Sequence, residues 1–170
     1  MAILRNQKAN NDCGPTCFAN TLNILGYDIK IKQSNKLCGL KKEGTDSFDL
    51  IKAFNKFGFD GKEKVYYSEK RAWNWLVKHT NLGIPIIISV YNDSHWILVL
   101  LAGKNKAQIL DPGDGEPKMV SKKELIKGWK FTPTFKSKPR FYSLELKPYK
   151  DKSIQAVLMR KKLILTMGVL

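Results

Sequence analysis

The chain has 170 residues, the usual size of one globular domain whose core is large enough to be stable without a metal or a disulfide. Hydrophobic residues make up 43% of it and aromatic residues 11%, a composition that excludes a disordered chain. The formal net charge is +15, and residues 118–170 hold 14 of the 30 basic residues but only 3 of the 15 acidic ones. Such a field favours polyanionic partners, although lysines scattered over an ordinary solvated surface give the same count.

The sequence excludes several classes of protein and site. Its longest apolar runs, such as 84–90 and 96–102, have the length of strands and are shorter than the roughly 18 residues of a membrane-spanning helix. The first residues contain no apolar signal core, so we expect no integral membrane segment and a cytoplasmic location. The three cysteines are an odd number, which indicates reduced thiols. With two histidines and no Cys-x-x-Cys pair, the sequence predicts no metal site.

The first half of the sequence predicts four helices. Pro15 suits the first turn of a helix that Gly26 ends, and a short second helix is expected near residues 32–37. The third begins after Thr45 or Asp46 and is predicted to bury one apolar stripe, which consists of Phe48, Ile51, Phe54 and Phe57. The fourth runs from residue 68 to about residue 80, and its predicted inner residues are Trp73, Leu76 and Val77.

The second half predicts strands. Residues 85–91, 95–102 and 107–110 are apolar or β-branched runs, separated by turns short enough to connect hairpins. A capping box at Ser121 predicts a short helix that ends at Gly128, and residues 140–147 alternate as another strand does. Helices followed by an antiparallel sheet indicate the α+β class.

Cys13 is the candidate nucleophile. It lies in Asp12-Cys-Gly-Pro-Thr-Cys17, at or just before the first turn of the first predicted helix. The free N–H groups and the positive end of the helix dipole stabilise a thiolate at that place, and Gly14 allows another segment to approach closely. A small buried residue is the alternative, since it is the usual role of a cysteine. Cys17, one turn further on, is predicted to be such a core residue.

A nucleophilic thiol needs a general base and a group that orients this base. His95 opens an apolar strand after a polar turn, so we expect it at the edge of the sheet, within reach of Cys13. Asp111 ends the next strand, where a hairpin connection would place it beside the imidazole. Asp114 is the second choice for this role, and a plain turn over residues 111–115 is the alternative interpretation.

Four further residues have predicted roles. Gln7 lies six residues before Cys13, in a loop that would bring its side-chain N–H beside the Cys13 backbone N–H and so form a two-donor oxyanion hole. Trp96 and Trp129 have the size to flank a cleft, although two large aromatic residues usually belong to the core. His79, at a predicted helix end, has a structural role, because an imidazolium there stabilises the last carbonyl groups.

The order and spacing of these residues carry a resemblance to a known family. Gln7-x5-Cys13-Gly14, His95-Trp96 on an apolar strand, and Asp111-Pro112 together resemble the bacteriocin-processing, or double-glycine, peptidases, which are family thirty-nine of the papain-like cysteine peptidases. Segments 44–50 and 54–59 are similar to the second helical segment of that family, and 83–88 to its strand before the histidine. The resemblance covers about residues 5–130.

The resemblance implies a papain-like fold in which a helical half carries the cysteine and an antiparallel half carries the histidine and the aspartate. Cys13 would be the nucleophile, His95 the general base and acid, Asp111 the orienting residue and Gln7 the oxyanion donor, without any metal or organic cofactor. Gly14 and Trp96 are expected to contact the substrate. Familiar members cut after a Gly-Gly leader and are fused to an ABC transporter. This sequence shows no membrane domain and no ATPase, and it therefore resembles the free-standing relatives.

The expected function is the hydrolysis of a peptide or isopeptide bond through a thioester acyl-enzyme. Transpeptidation and deamidation share this intermediate and stay open. The alternative is a binding protein on the same scaffold, which holds nucleic acid or an acidic partner through the basic residues 118–162. Residues 1–150 are expected to form the single peptidase domain. Residues 151–170 would be a basic and apolar tail or a last strand, or would attach weakly to a membrane surface.

Overall fold

A computed structural model of the chain describes residues 4–134 and 137–148. The helices within these ranges are α1 (Cys13–Ile24), α2 (Ile31–Leu37), α3 (Ser47–Asn55), α4 (Glu69–Thr80) and α5 (Lys122–Trp129). The strands are β1 (Phe59–Tyr66), β2 (Ile86–Val90), β3 (His95–Ala102), β4 (Lys106–Leu110), β5 (Pro117–Ser121), β6 (Lys130–Phe131) and β7 (Arg140–Pro148). Residues 151–170, for which a tail or a last strand is predicted, lie outside the described ranges.

The strands form one antiparallel sheet in the order β1-β7-β2-β3-β4-β5, with β6 paired to β7. The middle of this order, β2-β3-β4, consists of the three runs that the sequence predicts as strands, joined by short hairpin turns. The predicted α+β class is confirmed. The expected order of helices first and sheet afterwards is wrong in one respect, because β1 lies between α3 and α4. It pairs with β7 at one edge of the sheet.

β1 and β5 are absent from the sequence prediction for a physical reason. β1 reads Phe-Asp-Gly-Lys-Glu-Lys-Val-Tyr, and only its first residue is buried. All the side chains of β5 are exposed or half-buried. Both strands lie at the edges of the sheet that the described residues form, where polar residues are tolerated and one row of backbone groups has no neighbouring strand among these residues. These two strands form through backbone pairing with β7 and β4, and the hydrophobic pattern of a sequence does not reveal such pairing.

The first helix begins and ends as the sequence predicts. Cys13 is its first residue after the N-cap Asp12, and Pro15 lies in the first turn, where its missing N–H leaves no hydrogen bond unmade. Gly26 follows the C-cap with φ of +101°, a conformation that residues with a side chain rarely adopt. The N–H of Tyr27 then closes the end of the helix by donating to the Leu22 carbonyl oxygen at 2.9 Å.

The predicted apolar stripe of the third helix is partly wrong. α3 is capped by the Asp46 carboxylate, which accepts from the Asp49 N–H, and Phe54 is fully buried. Phe48 instead points outward and is 70% exposed. Phe57 lies beyond the last helical residue, although its ring still packs edge-on against Phe18. A spacing of three residues places side chains only approximately on one face, and Phe48, near the start of the helix, turns away from the core.

The remaining predicted elements are present. α4 begins one residue after Ser68 and ends at Thr80, and the capping box at Ser121 opens α5. α1, α2 and α3 pack on one face of the sheet around Phe18, and α4 and α5 pack on the other around Trp73 and Trp129. The sheet therefore separates two cores, and its ends are the places where residues of both faces meet.

Two findings concern the described residues only. Within 4–134 and 137–148, no helix has the length and apolar character needed to cross a bilayer. In the same ranges, no group of three or more histidine, cysteine, aspartate or glutamate residues has a geometry that could hold a metal ion. The cytoplasmic location and the division into residues 1–150 and 151–170 stay predictions.

Candidate active site

The candidate site lies at one end of the sheet, where the first turn of α1 meets the first residue of β3 and the turn after β4. This place brings together the residues that the sequence predicts to be catalytic. Cys13 lies close enough to the His95 side chain to contribute to the raised pKa of the imidazole, and His95 Nε2 lies 2.8 Å from Asp111 Oδ1. Because Nε2 faces the aspartate, Nδ1 is the ring nitrogen that remains for the thiol. Asp111 is therefore the contact of His95, and Asp114, the second choice, instead pairs with Lys118.

A bulge in the sheet decides whether Asp111 lies on the same face as His95. At one end of the β3–β4 pairing, Leu101 lies opposite Gln108. From Val99, which lies opposite Ile109, the register is shifted by one residue. Continued past Leu98 and Leu110, the second register places Asp111 opposite Ile97, on the face that also carries His95. Without the shift, Asp111 and His95 would lie on opposite faces of the sheet, because side chains alternate along a strand.

Two contacts fix α1 against β3. The Trp96 side chain lies over Gly14: a Cβ on this glycine would be 3.2 Å from Trp96 Cδ1 and 3.3 Å from Thr45 Cβ. The Trp96 indole N–H donates to the Thr45 carbonyl oxygen at 3.0 Å, and the Cys17 thiol donates to the Trp96 carbonyl oxygen at 3.4 Å. The absent side chain of Gly14 thus makes room for packing within the chain. A substrate contact of Gly14 or Trp96 stays a prediction.

The three cysteines have different surroundings. Cys17 is fully buried, as predicted, and burial raises the pKa of its thiol well above its ordinary value. Burial also raises the pKa of the Cys38 thiol to about 12. Both thiols therefore stay protonated near neutral pH and are poor nucleophiles. Cys13 is 7% exposed and lies close to His95, and it has the only thiol of the three with an acid–base partner among the described residues.

The His95–Asp111 pair is polarised. The hydrogen bond to Asp111 raises the pKa of His95 to about 9, the hydrogen bond with Cys13 acts in the same direction, and partial burial opposes both. Burial acts to raise the pKa of Asp111, but the hydrogen bonds from His95 and from the Gly113 N–H outweigh it, so that this pKa is lowered. At neutral pH the pair is an imidazolium beside a carboxylate.

The loop that carries Gln7 is held by Asp12, a residue that the sequence analysis did not single out. The Asp12 carboxylate is 1% exposed, and it accepts the backbone N–H groups of Lys8 and Ala9 at 3.1–3.2 Å. The Gln7 backbone N–H donates to the Pro112 carbonyl oxygen at 2.9 Å, which joins the loop to the turn of Asp111. An aspartate directly before the candidate nucleophile is a helix-capping pattern. Nothing in the sequence indicates that its carboxylate instead accepts hydrogen bonds from the loop that precedes it.

The Gln7 side chain has donor capacity left. One amide N–H donates to the Ala9 carbonyl oxygen at 3.1 Å, and an amide nitrogen carries two hydrogens. Its Oε1 is buried without a hydrogen-bond partner among the described residues. The structure thus places Gln7 next to the Asp111 turn and in the loop directly before Cys13. Its role as oxyanion donor stays a prediction.

The turn between β2 and β3 is strained. Tyr91, Asn92 and Asp93 have φ of +53°, +61° and +59°, so three successive residues with side chains are left-handed. This conformation costs about 1–2 kcal/mol for each residue and is least tolerated by a bulky one such as tyrosine. The Tyr91 ring is 60% exposed and lies nearly parallel to the His95 imidazole, with an angle of 19° and 6.2 Å between centroids. The sequence identified residues 92–94 only as a connection.

His79 and Trp129 lie in structural contacts. His79 Nδ1 is 2.8 Å from the Trp75 carbonyl oxygen, which lies one turn before the last carbonyl groups of α4 that its predicted role concerns. Its Nε2 also lies 3.0 Å from Glu145 on β7. Trp129 is 1% exposed and donates to the Tyr142 carbonyl oxygen, so it belongs to the core and does not flank a cleft.

Comparison with known proteins identifies the family. The model of the Peptidase C39 family matches residues 3–139. The chain belongs to this family, and it is a cysteine peptidase. It is 28% identical over 127 residues to the lactococcin-G-processing and transport ATP-binding protein LagD of Lactococcus lactis subsp. lactis, a match that covers 72% of this chain and 17% of LagD. The chain thus spans about a sixth of the curated relative it matches.

Solved structures share the fold. The double glycine motif protease from an AMS/PCAT transporter, in complex with the leader peptide, matches with a TM-score of 0.66 and 22% identity, over 86% of this chain and 91% of that one. The peptidase domain of Streptococcus ComA, a bifunctional ABC transporter, matches with a TM-score of 0.63 and 21% identity, over 87% and 99%. The predicted papain-like fold is therefore confirmed.

Replacing Asp111 by asparagine tests the electrostatics of the pair. The amide lacks the charge that favours the imidazolium, so the pKa of His95 should fall from about 9 toward its ordinary value of about 6.5. A histidine whose pKa is raised by folding contributes stability in full below about pH 6.5, and this contribution is lost as the pH rises through about 9. The wild type should therefore exceed Asp111→Asn in free energy of unfolding most at about pH 5–6.5, and the difference should shrink above pH 9.

Urea unfolding at several pH values measures this difference, and NMR titration of the imidazole measures the pKa of His95. Asp114→Asn is the matched control: it removes a charge from the same turn, but Asp114 pairs with Lys118 and not with His95. A stability difference for Asp111→Asn that does not vary with pH would contradict the assignment of the raised pKa to Asp111.

Proposed function

We propose that this peptidase works through a catalytic triad of Cys13, His95 and Asp111, with an oxyanion hole formed by the Gln7 side chain and the Cys13 backbone N–H. The observation that supports it best is the position of His95, whose Nε2 faces the carboxylate of Asp111 while the Cys13 thiol lies close enough to help raise its pKa. This is the arrangement of a nucleophile, a base and a group that orients the base.

The reaction proceeds in two halves. The Cys13 thiolate attacks the carbonyl carbon of the scissile bond, and the oxyanion accepts hydrogen bonds from Gln7 and the Cys13 N–H. The His95 imidazolium donates its proton to the leaving nitrogen, the C–N bond breaks, and an amine and a thioester result. Water then attacks the thioester while His95 accepts its proton, and breaking of the C–S bond releases the acid and restores the thiolate.

The charges of the site suit the first half. With a pKa of about 9, His95 is an imidazolium at neutral pH and holds the proton that the leaving amine requires. The lowered pKa of Asp111 keeps this carboxylate ionised, which fixes the ring orientation through Nε2. An attack by an amine instead of water would give transpeptidation, and an amide side chain as substrate would give deamidation, through the same thioester.

A substrate with glycines before the scissile bond fits the space at the nucleophile. Cys13 is 7% exposed, and the Trp96 ring closes over the neighbouring Gly14. A glycine before the scissile bond has no side chain that this largely covered nucleophile would have to accommodate. A double glycine motif also appears in the description of the solved protease in complex with a leader peptide. We therefore propose peptides with a Gly-Gly pair before the cleaved bond as the substrate class.

The cysteines provide a direct test of the nucleophile. Iodoacetamide at limiting exposure should modify Cys13 at least tenfold faster than Cys17 or Cys38, because only Cys13 pairs with an imidazole and the other two thiols are held protonated. His95→Ala should remove this difference. Mass spectrometry of the intact protein, followed by peptide mapping, measures the adducts.

The same variants should be assayed for cleavage of a Gly-Gly peptide. Cys13→Ala and His95→Ala should show no turnover, and Cys38→Ala, which removes a buried thiol outside the site, serves as the matched control that keeps it. Equal alkylation of all three cysteines in the folded protein, or cleavage by Cys13→Ala, would show that the nucleophile is misassigned.

Gln7→Ala tests the oxyanion hole. Loss of one donor to the tetrahedral intermediate reduces kcat by a factor on the order of 10² to 10³ with little change in KM, because the hydrogen bond is made mainly in the transition state. Asn10→Ala, an exposed amide in the same loop, should leave kcat unchanged. Steady-state cleavage of the Gly-Gly peptide gives both constants, and a kcat of Gln7→Ala equal to that of the wild type would remove Gln7 from the site.

A second candidate function, polyanion binding, is favoured by a lysine-rich surface between α4 and α5. The lysines along its two adjoining grooves are Lys70, Lys78, Lys104, Lys122, Lys123, Lys127 and Lys130, and Glu69 is the acidic residue among the lining side chains. Four of the seven lysines fall in the predicted region 118–162. No ion pair joins these lysines to an acidic group within the described ranges, so their charge is free for nucleic acid or an acidic protein.

Charge reversal separates this function from the peptidase. Lys122→Glu, Lys123→Glu and Lys127→Glu together should weaken binding to a 20-base-pair DNA or to polyglutamate by at least tenfold, and the binding should fall steeply between 50 and 200 mM salt. The matched control reverses the exposed Lys30, Lys32 and Lys36 around α2. Fluorescence anisotropy measures both, in a Cys13→Ala background. Equal loss in the two triple variants would indicate net charge alone and exclude a dedicated surface.

A further inference from the structure

The strained turn before His95 presents a tyrosine ring to solvent, although an exposed ring gains little from burial. The backbone is held by three hydrogen bonds: the Tyr91 N–H donates to the Gly128 carbonyl oxygen at 2.8 Å, the Ser94 N–H to Val90 at 3.2 Å, and the Ser94 hydroxyl to the Tyr91 carbonyl oxygen at 2.6 Å. These contacts fix an unfavourable conformation, and strain of this kind is typical of functional sites.

The Tyr91 ring packs beside Gly128, near the end of α5. A Cβ at this position would lie 3.5 Å from Tyr91 Cε1 and 3.9 Å from Cδ1, so the ring rests close to the backbone of α5. Its other neighbour is the His95 imidazole, to which it is nearly parallel. The ring is thereby held between α5 and the candidate general acid, with most of its surface free.

The position of the ring relates it to one side of the scissile bond. Asp111 occupies the Nε2 edge of the His95 imidazole, Cys13 lies close to the same ring, and Tyr91 lies along one of its faces. During acylation His95 gives its proton to the leaving nitrogen, so the residue that contains this nitrogen must bind against His95. The next available surface beyond the imidazole is the exposed ring of Tyr91.

We propose that the Tyr91 ring forms one wall of a subsite for the residue that follows the scissile bond, and that this subsite selects an apolar or aromatic side chain. The proposal rests on the peptidase function proposed above. A flat exposed ring offers dispersion contacts and stacking to such a side chain. Lys118, the neighbouring cation, is paired with Asp114, and the carboxylate of Asp93 in the same turn opposes an acidic residue.

Peptides that differ only in the residue after the cleaved bond test the subsite. The set has leucine, phenylalanine, serine or aspartate at that position, behind a common Gly-Gly segment. Wild-type kcat/KM should favour leucine and phenylalanine over serine and aspartate by about tenfold. Tyr91→Asn should reduce this preference to within twofold, and asparagine is chosen because it tolerates the left-handed conformation. Tyr91→Phe, which keeps the ring, should retain the preference.

Two controls separate a subsite from a structural effect. Tyr67→Asn removes a tyrosine that is equally exposed, at 60%, from another part of the surface, and should leave the preference intact. The rate of iodoacetamide modification of Cys13, which involves no leaving residue, should stay within twofold of wild type in Tyr91→Asn. An equal fall in this rate and in the cleavage of all four peptides would mean that Tyr91 only positions His95, and would overturn the subsite.

A binding arm keeps the test independent of turnover. In the Cys13→Ala background, isothermal titration with the same four peptides should give a Kd about tenfold lower for leucine than for aspartate, and Tyr91→Asn should abolish the difference. If the wild type cleaves none of the peptides but this selectivity of binding is seen, the proposed function fails and the subsite stands. Selectivity that persists in Tyr91→Asn, in binding or in cleavage, overturns the subsite alone.

Discussion

The candidate site depends on a single irregularity in the pairing of β3 with β4. The register shifts by one residue between Val99 and Leu101, and this shift decides whether Asp111 lies on the same face of the sheet as His95. A one-residue slip moves every following side chain to the other face. With the shift, the aspartate reaches His95 at 2.8 Å. Without it, the carboxylate and the imidazole would lie on opposite faces of the sheet, and the histidine would lack the partner that raises its pKa.

The other parts of the site are attached to this hairpin from both faces. From one face, the Trp96 indole packs on Gly14 and the Cys17 thiol binds the Trp96 carbonyl oxygen, which holds the start of α1 beside His95. From the other face, α5 supports the Tyr91 ring through Gly128. A loop fixed by Asp12 then joins the cysteine to the Asp111 turn through Gln7. Each contact is short-ranged, but together they span both cores of the protein.

Burial divides the polar groups of this site into two kinds. Asp12 is almost fully buried, and backbone N–H groups satisfy its oxygens, so that its charge orders the Gln7 loop. His95 and Asp111 are only partly buried, which leaves the imidazole accessible to a substrate and to water. A rigid, buried aspartate beside a more accessible acid–base pair is what a site needs if it is to hold its geometry through two proton transfers.

The sequence by itself determined the chemistry that is available and most of the elements that carry it. The helix start at Cys13 follows from the proline in its first turn, the end of α1 from a glycine, the start of α5 from a capping box, and β2, β3 and β4 from apolar runs between turn residues. These are local effects, so they can be predicted from neighbouring residues. The order of the glutamine, cysteine, histidine and aspartate residues also identified the family, which the family model confirms.

Only the tertiary structure decided the features that depend on residues far apart in the chain. The polar edge strands β1 and β5 form because β7 and β4 offer free backbone groups to them. No local sequence pattern predicts four of these features: the orientation of Phe48, the bulge that brings Asp111 to the face of His95, the binding of Asp12 to the loop before it, and the stacking of Tyr91 on His95. Packing across the sheet sets the register of the strands, the face on which each side chain lies and the strain of the turn, because the energy of many distant contacts outweighs the preference of any single residue.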